Sequence, residues 1–422
     1  MAGLALLITV GGAAGVVGGQ AGAGAATSAS APGVTSTQIT VGAVATTTGT
    51  LAATFDGFVP GMQAYFKMVD AQGGVEGRQI VLPTNLVKNT STTASAFTSL
   101  AKGLVEQDHV FAMAVSTFVP SSPGFLGQTT VPTFGFDANG LWAGPKNLFA
   151  YGGSVLFVKP IASQLAFLLK KTKSTKLGVL SYNIASSKAA CTTAATTLKK
   201  AGYSVPFVNL SAPLRSTYSS TVQRMKSAGV NFVLSCLQDT DALTLSRDIH
   251  EYHLNAKQYW LTSGGQKVIN KYPTLTTGMF QSLTAVPFGA STADYPGLKK
   301  YRTSMTKYSP SFVNTQNGIR GWASGALLVA GIKAAGKNFT QKSVIQAMNK
   351  MSHFNATTLI TPVHWTSAHT KSVGPWCTAY VQVENKVMVP KFGKGKQVFS
   401  CFELTPKHPT PVKPPPNTPG AT

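Results

Sequence analysis

Residues 39–82, ITVGAVATTTGTLAATFDGFVPGMQAYFKMVDAQGGVEGRQIVL, decide the fold. Ile39, Val41 and Val44 make a short β-branched apolar run, closed by a Thr-rich loop over 46–50, which predicts a strand. Phe58, Met62, Tyr65, Phe66 and Val69 then recur at helical spacing and predict an amphipathic helix. Gly73 and Gly74 follow Asp70 and suit a left-handed C-terminal cap. Residues 79–82 open the next strand. Strand, helix and strand in about forty residues form a βαβ unit, because two parallel strands need such a crossover.

The alternation continues outward from that unit. A loop over 88–93 leads into a helix through Ala96, Leu100 and Leu104. Strands are expected at 110–115, 131–136 and 148–151. A second series starts near Val158, with helices at 160–171, 187–201, 218–228 and 240–252 between strands at 176–181, 205–208, 231–236 and 258–262. This is the pattern of a doubly wound α/β domain. Beyond Ala285 it changes to helices at 296–307, 318–335 and 340–351. A hairpin over 376–383 and 387–391 and a strand at 398–402 follow. The tail, 405–422, is Pro-rich and is expected to be extended without fixed structure.

A chain of 422 residues suggests two domains. It carries 36 Lys and Arg against 13 Asp and Glu, a net charge of +23. The lysines are scattered, with no arginine-rich helix and no zinc-ligand spacing. This reads as the solvated basic surface of an exported protein, not a nucleic-acid binder. With few carboxylates to protonate, the chain is expected to lose little stability in acid. Residues 1–32 are Gly/Ala-rich, mostly apolar and without charged side chains. They resemble the apolar core of a signal peptide followed by small residues suited to cleavage, without a basic leading region. The glycines make a spanning helix the poorer alternative.

The four cysteines are an even count in an apparently exported chain, which suggests disulfides. Cys191 opens a helix and Cys236 ends a strand in the same series, while Cys377 and Cys401 flank the hairpin region. The expected pairs are Cys191–Cys236 and Cys377–Cys401. No C-x-x-C occurs and no His lies at ligand spacing, so no metal site is expected. No G-x-S-x-G, H-E-x-x-H, P-loop or post-strand G-x-G-x-x-G is present either. His250 and His253 lie three apart on a helix and read as a solvated face.

The segments VGAVATTTGT and VDAQGGVEGRQIVL resemble the opening of type I periplasmic binding proteins, closest to the branched-chain amino-acid (leucine-binding) receptors of ABC importers. The resemblance runs over about 38–404. It implies two doubly wound Rossmann-like lobes joined by a hinge of three crossings, near Val158, Val286 and Pro362. Lobe one would be 38–158 plus 287–361, and lobe two 159–285 plus 362–404. It also implies a monomeric, non-enzymatic receptor without cofactor. Such a receptor captures an amino acid or a related carboxylate or amide between its lobes and hands it to a membrane ABC permease.

In open α/β sheets ligands bind beyond the carboxyl ends of strands. The loops there contain Thr48, then Ser116 and Thr117, then Phe136, Asp137 and Ala138, then Tyr182, then Asp239 and Asp241. The resemblance places the ligand carboxylate at Ser116 and Thr117 and in the 136–138 loop. Hydroxyls and N–H groups at a helix start suit an anion. An ammonium group would need a carboxylate, for which Asp239 is the first candidate ahead of Asp241 and Asp137, while the simpler reading is that Asp239 or Asp241 caps the following helix. Tyr182 stands where the family has an aromatic against the ligand. The Tyr-Gly that usually follows is replaced here by Ala185-Ser186-Ser187. Two further readings are a ligand-sensing receptor subunit of the same fold and a secreted cell-wall-binding protein or hydrolase.

Overall fold

The structure is a computed structural model that describes residues 31–49, 52–90, 93–117, 124–135, 142–154, 160–261, 265–371, 376–393, 395–403 and 411–420. Its first part contains β1 (Gln38–Ala45), α1 (Ala52–Phe55), α2 (Phe58–Asp70), β2 (Gln79–Val81), β3 (Val87–Asn89), α3 (Ala94–Lys102), β4 (Ala112–Ser116), α4 (Gly124–Gln128), β5 (Thr133–Gly135) and β6 (Leu148–Ala150). These strands form one parallel sheet in the order β2-β1-β4-β5-β6, with β3 also on β1. The second part begins with α5 (Pro160–Lys171), β7 (Lys176–Tyr182), α6 (Ala185–Lys200), β8 (Ser204–Ala212), α7 (Ser219–Ser227), β9 (Phe232–Cys236), α8 (Asp239–Glu251), β10 (Lys257–Trp260), α9 (Gly265–Lys271), α10 (Pro273–Thr276) and β11 (Phe280–Leu283). It is followed by α11 (Pro296–Tyr308), α12 (Gln316–Ala335), α13 (Gln341–Met348), β12 (Trp376–Glu384), β13 (Val387–Lys391) and β14 (Phe399–Phe402). The second sheet runs β13-β12-β11-β10-β9-β7-β8, parallel from β7 to β11. Strand β12 is antiparallel to β11, β13 and β14.

The opening βαβ unit forms as read. Phe58, Met62, Phe66 and Val69 of α2 are buried, and Tyr65 meets the Trp322 ring edge-on at 4.6 Å. The helix ends through two left-handed glycines, Gly73 (φ 98°) and Gly74 (φ 77°). A Cβ at Gly74 would lie 2.1 Å from the Arg78 carbonyl oxygen. Asp70 then accepts from the Ile80 N–H at 2.9 Å and ties the helix end to β2.

Helices α11 and α12 return to pack on α2, so the first lobe is completed by chain that follows the second sheet. Val286 N–H donates to the Leu359 carbonyl at 2.9 Å, and Thr361 N–H donates to the Thr284 carbonyl at 3.0 Å. Residues 284–286 and 359–361 therefore run side by side as antiparallel connectors. Trp365 and His369 pack on Phe149 at ring separations of 4.9 and 5.1 Å. Gly144 and Ser154 N–H groups donate to the His369 and Ala368 carbonyls. Apolar packing on β6 thus holds 363–371 with the first sheet.

Both expected disulfides are present, Cys191–Cys236 and Cys377–Cys401. The second joins directly opposed residues of β12 and β14. Two strands and four short helices, α1, α4, α9 and α10, go beyond the sequence expectation. Strand β3 lies at the expected 88–93 loop, and β11 gives no sequence signal because FQSL is four residues with one polar residue on each face. The tail also differs from expectation, because 411–420 lie on the body. Val412 N–H donates to the Cys401 carbonyl at 2.8 Å, Asn355 donates to the Asn417 carbonyl at 3.0 Å, and Thr418 is buried.

Candidate functional site: a cleft at the lobe connections

The hydroxyl residues of the first lobe gather at the carboxyl ends of β1, β3 and β4. Thr46 donates its backbone N–H to the Ser116 carbonyl at 2.9 Å, its hydroxyl donates to the Thr90 carbonyl at 3.1 Å, and the Thr46 and Thr117 hydroxyls are 2.9 Å apart. Thr48 is held by Asn89, which accepts from the Thr48 N–H at 3.2 Å and donates to its hydroxyl at 2.9 Å. Ser116 is buried, and its hydroxyl has no hydrogen-bond partner among the described residues. Phe136, Asp137 and Ala138 lie outside the described residues.

In the second lobe Tyr182 is committed to the fold. Its hydroxyl donates to Asp241 Oδ2 and accepts from the Gln238 N–H at 3.2 Å. Burial, and then the Asp241 contact, push the Tyr182 phenol far above its ordinary range. Asp241 also accepts from the Arg215 N–H at 3.1 Å. Asp239 is the first residue of α8. The structure therefore brings Ser116, Thr117 and Thr48 together at one sheet edge, and Tyr182 and Asp239 together at the carboxyl ends of β7 and β9.

The sequence reading missed the cleft at the connectors. It holds about 610 Å³ of empty volume, its open mouth included. Gln316, Ile319 and Arg320 line it from one face of α12, at the i, i+3 and i+4 spacing that puts side chains in a row. Ile161 and Gln164 of α5 line the other side, with Ser282 and Trp376. The connector Leu283–Ala285 closes one wall, with Tyr151 and Phe288. The Thr284 hydroxyl donates to the Tyr151 hydroxyl at 3.2 Å, and the Ser282 hydroxyl donates to Gln164 Oε1 at 3.1 Å. That bond turns the Gln164 amide N–H groups toward other acceptors.

Arg320 is the cation of this lining. Its guanidinium donates to Asn317 Oδ1 at 2.9 Å and lies 5.9 Å from the Tyr151 ring centre. Burial lowers its pKa to about 10, which marks a charge poorly served by water. Burial also raises the Tyr151 phenol above its ordinary value. The described lining has no carboxylate, cysteine or histidine, and no group of three His, Cys, Asp or Glu among the described residues could hold a metal. Such a wall suits an anionic group on a largely apolar body. The available cue was one arginine in an otherwise apolar, small-residue helix, GIRGWASGALLVAG.

Solved structures share this architecture. A branched-chain amino-acid ABC transporter protein from Thermus thermophilus with bound valine superposes with a TM-score of 0.73 at 15% identity, covering 85% of this chain and 96% of that one. A fatty-acid ABC transporter substrate-binding protein from Thermomonospora curvata gives 0.74 at 18% identity, covering 91% and 97%. A solute-binding protein from R. palustris in complex with benzoate gives 0.70 at 14% identity, covering 84% and 95%. Comparison with curated protein sequences returns no match. The family model for periplasmic binding proteins matches residues 38–386, and the chain belongs to that family, with the type I fold of its branched-chain amino-acid receptor group.

Proposed function

We propose that this protein is an exported, non-enzymatic receptor that captures a small carboxylate between its two lobes and delivers it to an ABC importer. The observation that carries this reading is Arg320, a half-buried cation lining a cleft shared by both lobes and their connectors. The ligand carboxylate sits on Arg320 with help from Gln164. Ile161, Leu261, Ile319 and Trp376 take its apolar part. The valine, fatty-acid and benzoate ligands of the similar structures each carry a carboxylate. Ser116, Thr117 and Thr48, with the 136–138 loop, form a second set of proposed contacts. Among these Ser116 offers a buried hydroxyl with no partner among the described residues. Tyr182 and Asp239 border the site from the second lobe, which we take as 159–285 with 372–404, against 38–158 with 287–371 for the first. Residues 1–32 act as the export segment. Contacts from both lobes favour the closed state, which couples capture to hinge motion.

A thermal-shift panel of amino acids, fatty acids and benzoates tests this. A ligand at about 100 times its Kd adds roughly 2.7 kcal/mol of stability. The expected result is a shift with one carboxylate class that Arg320→Met abolishes while the unliganded melting point stays close to wild type. A ligand whose shift survives Arg320→Met would move the site to the Ser116 edge. No shift with any panel member would overturn the reading.

A further inference from the structure

In a parallel sheet with helical crossovers, helices end and strands begin at the same pole. In the second lobe that pole is lined with cations. The α5–β7 connection carries Lys170, Lys171, Lys173 and Lys176. Helix α6 ends on Lys199 and Lys200, one turn before β8, whose Ser204 pairs with Lys176. Helix α7 ends with Arg224 and Lys226, and Lys257 opens β10. All nine are exposed. The backbone holds them together. Asn231 N–H donates to the Lys176 carbonyl at 3.0 Å, Lys257 N–H donates to the Asn231 carbonyl at 3.1 Å, and the Lys226 ammonium reaches the Tyr252 carbonyl at 3.0 Å. Glu251 is the exposed carboxylate of these connections. Asp248 is buried against Arg247, and Glu384, at the nearby β12–β13 turn, is paired with Lys391.

Helix C-termini favour cations for a local reason, since their carbonyl ends are negative. The first lobe is an internal control for that effect. Its matching pole, across which α13 lies through Gln341 on the Val110 and Phe111 carbonyls and Asn349 on the Lys146 carbonyl, has Lys67, Arg78, Lys102, Lys146, Lys333, Lys337, Lys342 and Lys350 against Asp70, Glu76, Glu106 and Asp108, so carboxylates offset half of the cations there, against one exposed carboxylate for nine cations in the second lobe. The same helix ends are present in both lobes, so the dipole does not explain the difference. The imbalance is also continuous in sequence, because no Asp or Glu occurs between Asp137 and Asp239.

We infer that the second-lobe pole is a docking surface for a membrane rich in anionic phosphate headgroups. Eight of the nine cations are lysines, compact hydrated charges suited to diffuse attraction and not to bidentate recognition of one phosphate. They are spread over four connections, as a broad charged plane requires. The pole lies at the amino ends of the strands, away from Tyr182 and Asp239 at the carboxyl ends, so the cleft stays open to load. The choice of a membrane as partner rests on the importer reading, whereas the charge asymmetry does not.

The test is sedimentation of the full chain with vesicles of phosphatidylcholine alone or with about 30% phosphatidylglycerol, at low and at physiological salt. The expected result is at least about tenfold tighter binding to the anionic vesicles, weakened by salt. The quadruple change of Lys170, Lys171, Lys199 and Lys200 to Gln should lower it about tenfold or more. A control changing Lys299, Lys300, Lys307 and Lys342 to Gln removes the same charge elsewhere and should lower it much less. Equal losses in the two variants would show that net charge alone acts and would overturn the docking surface. So would no preference for anionic vesicles, or binding to soluble polyphosphate without vesicle binding. Both variants are read only with melting curves matching wild type. A docking surface that holds while the carboxylate panel fails would leave this inference standing and remove only the assigned ligand.

Discussion

The Tyr182 hydroxyl donates to Asp241 Oδ2 at 2.5 Å across the carboxyl ends of two neighbouring strands of the second sheet. Both residues are buried, and the pair holds the loop before α8. Tyr182→Phe removes a donor from a buried carboxylate and an acceptor from the Gln238 N–H. The expected cost is about 1–3 kcal/mol, read from urea unfolding, with little change in any ligand Kd. A large loss of affinity without loss of stability would mean that Tyr182 contacts the ligand.

Helices α2 and α12 cross through glycines. A Cβ at Gly321 would lie 1.8 Å from the Phe58 carbonyl oxygen, and one at Gly61 would lie 2.2 Å from the Gly318 carbonyl oxygen. In an exposed helix Gly→Ala would stabilise by about 1 kcal/mol. Here the clash wins, because the neighbour is backbone and cannot rotate away. Gly321→Ala should destabilise by about 2–3 kcal/mol in denaturant unfolding.

The disulfides Cys191–Cys236 and Cys377–Cys401 close loops with sequence separations of 45 and 24 residues. Chain entropy predicts about 3–4 kcal/mol from each. Cys377→Ser with Cys401→Ser should lower the melting temperature by several degrees, and a reductant should do no more to that variant than open the remaining bridge.

His369 is fully buried against Phe149 and Trp365. Burial, helped by Lys146, lowers its pKa to about 4, against about 6.5 in an unfolded chain. The unfolded state therefore binds the proton first. The contribution of His369 is fully present above pH 6.5 and is lost as pH falls toward 4, up to about 3 kcal/mol. Melting temperatures should fall across that window, and His369→Gln should flatten the fall. This titration works against the acid tolerance expected from the low carboxylate count.

The βαβ opening and the alternation after it were legible in the chain because each rests on local spacing. Periodicity at 2 and 3.6 and two glycines behind Asp70 need no partner from elsewhere. The Ser116–Thr117 edge was legible for the same reason, as a hydroxyl-rich loop directly behind an apolar strand. The disulfide pairs followed from the elements on which the four cysteines sit. The hydrogen bond of Tyr182 to Asp241 was not legible, because the partner is 59 residues away. The cleft was invisible because Tyr151, Gln164, Ser282 and Arg320 come from four separate segments and meet only when the connectors at 284–286 and 359–361 pair. The lysine pole shows the same division. Its cations are plain in the sequence as singles and pairs, but only the tertiary structure, by ending successive helices at one end of a parallel sheet, sums them into one surface.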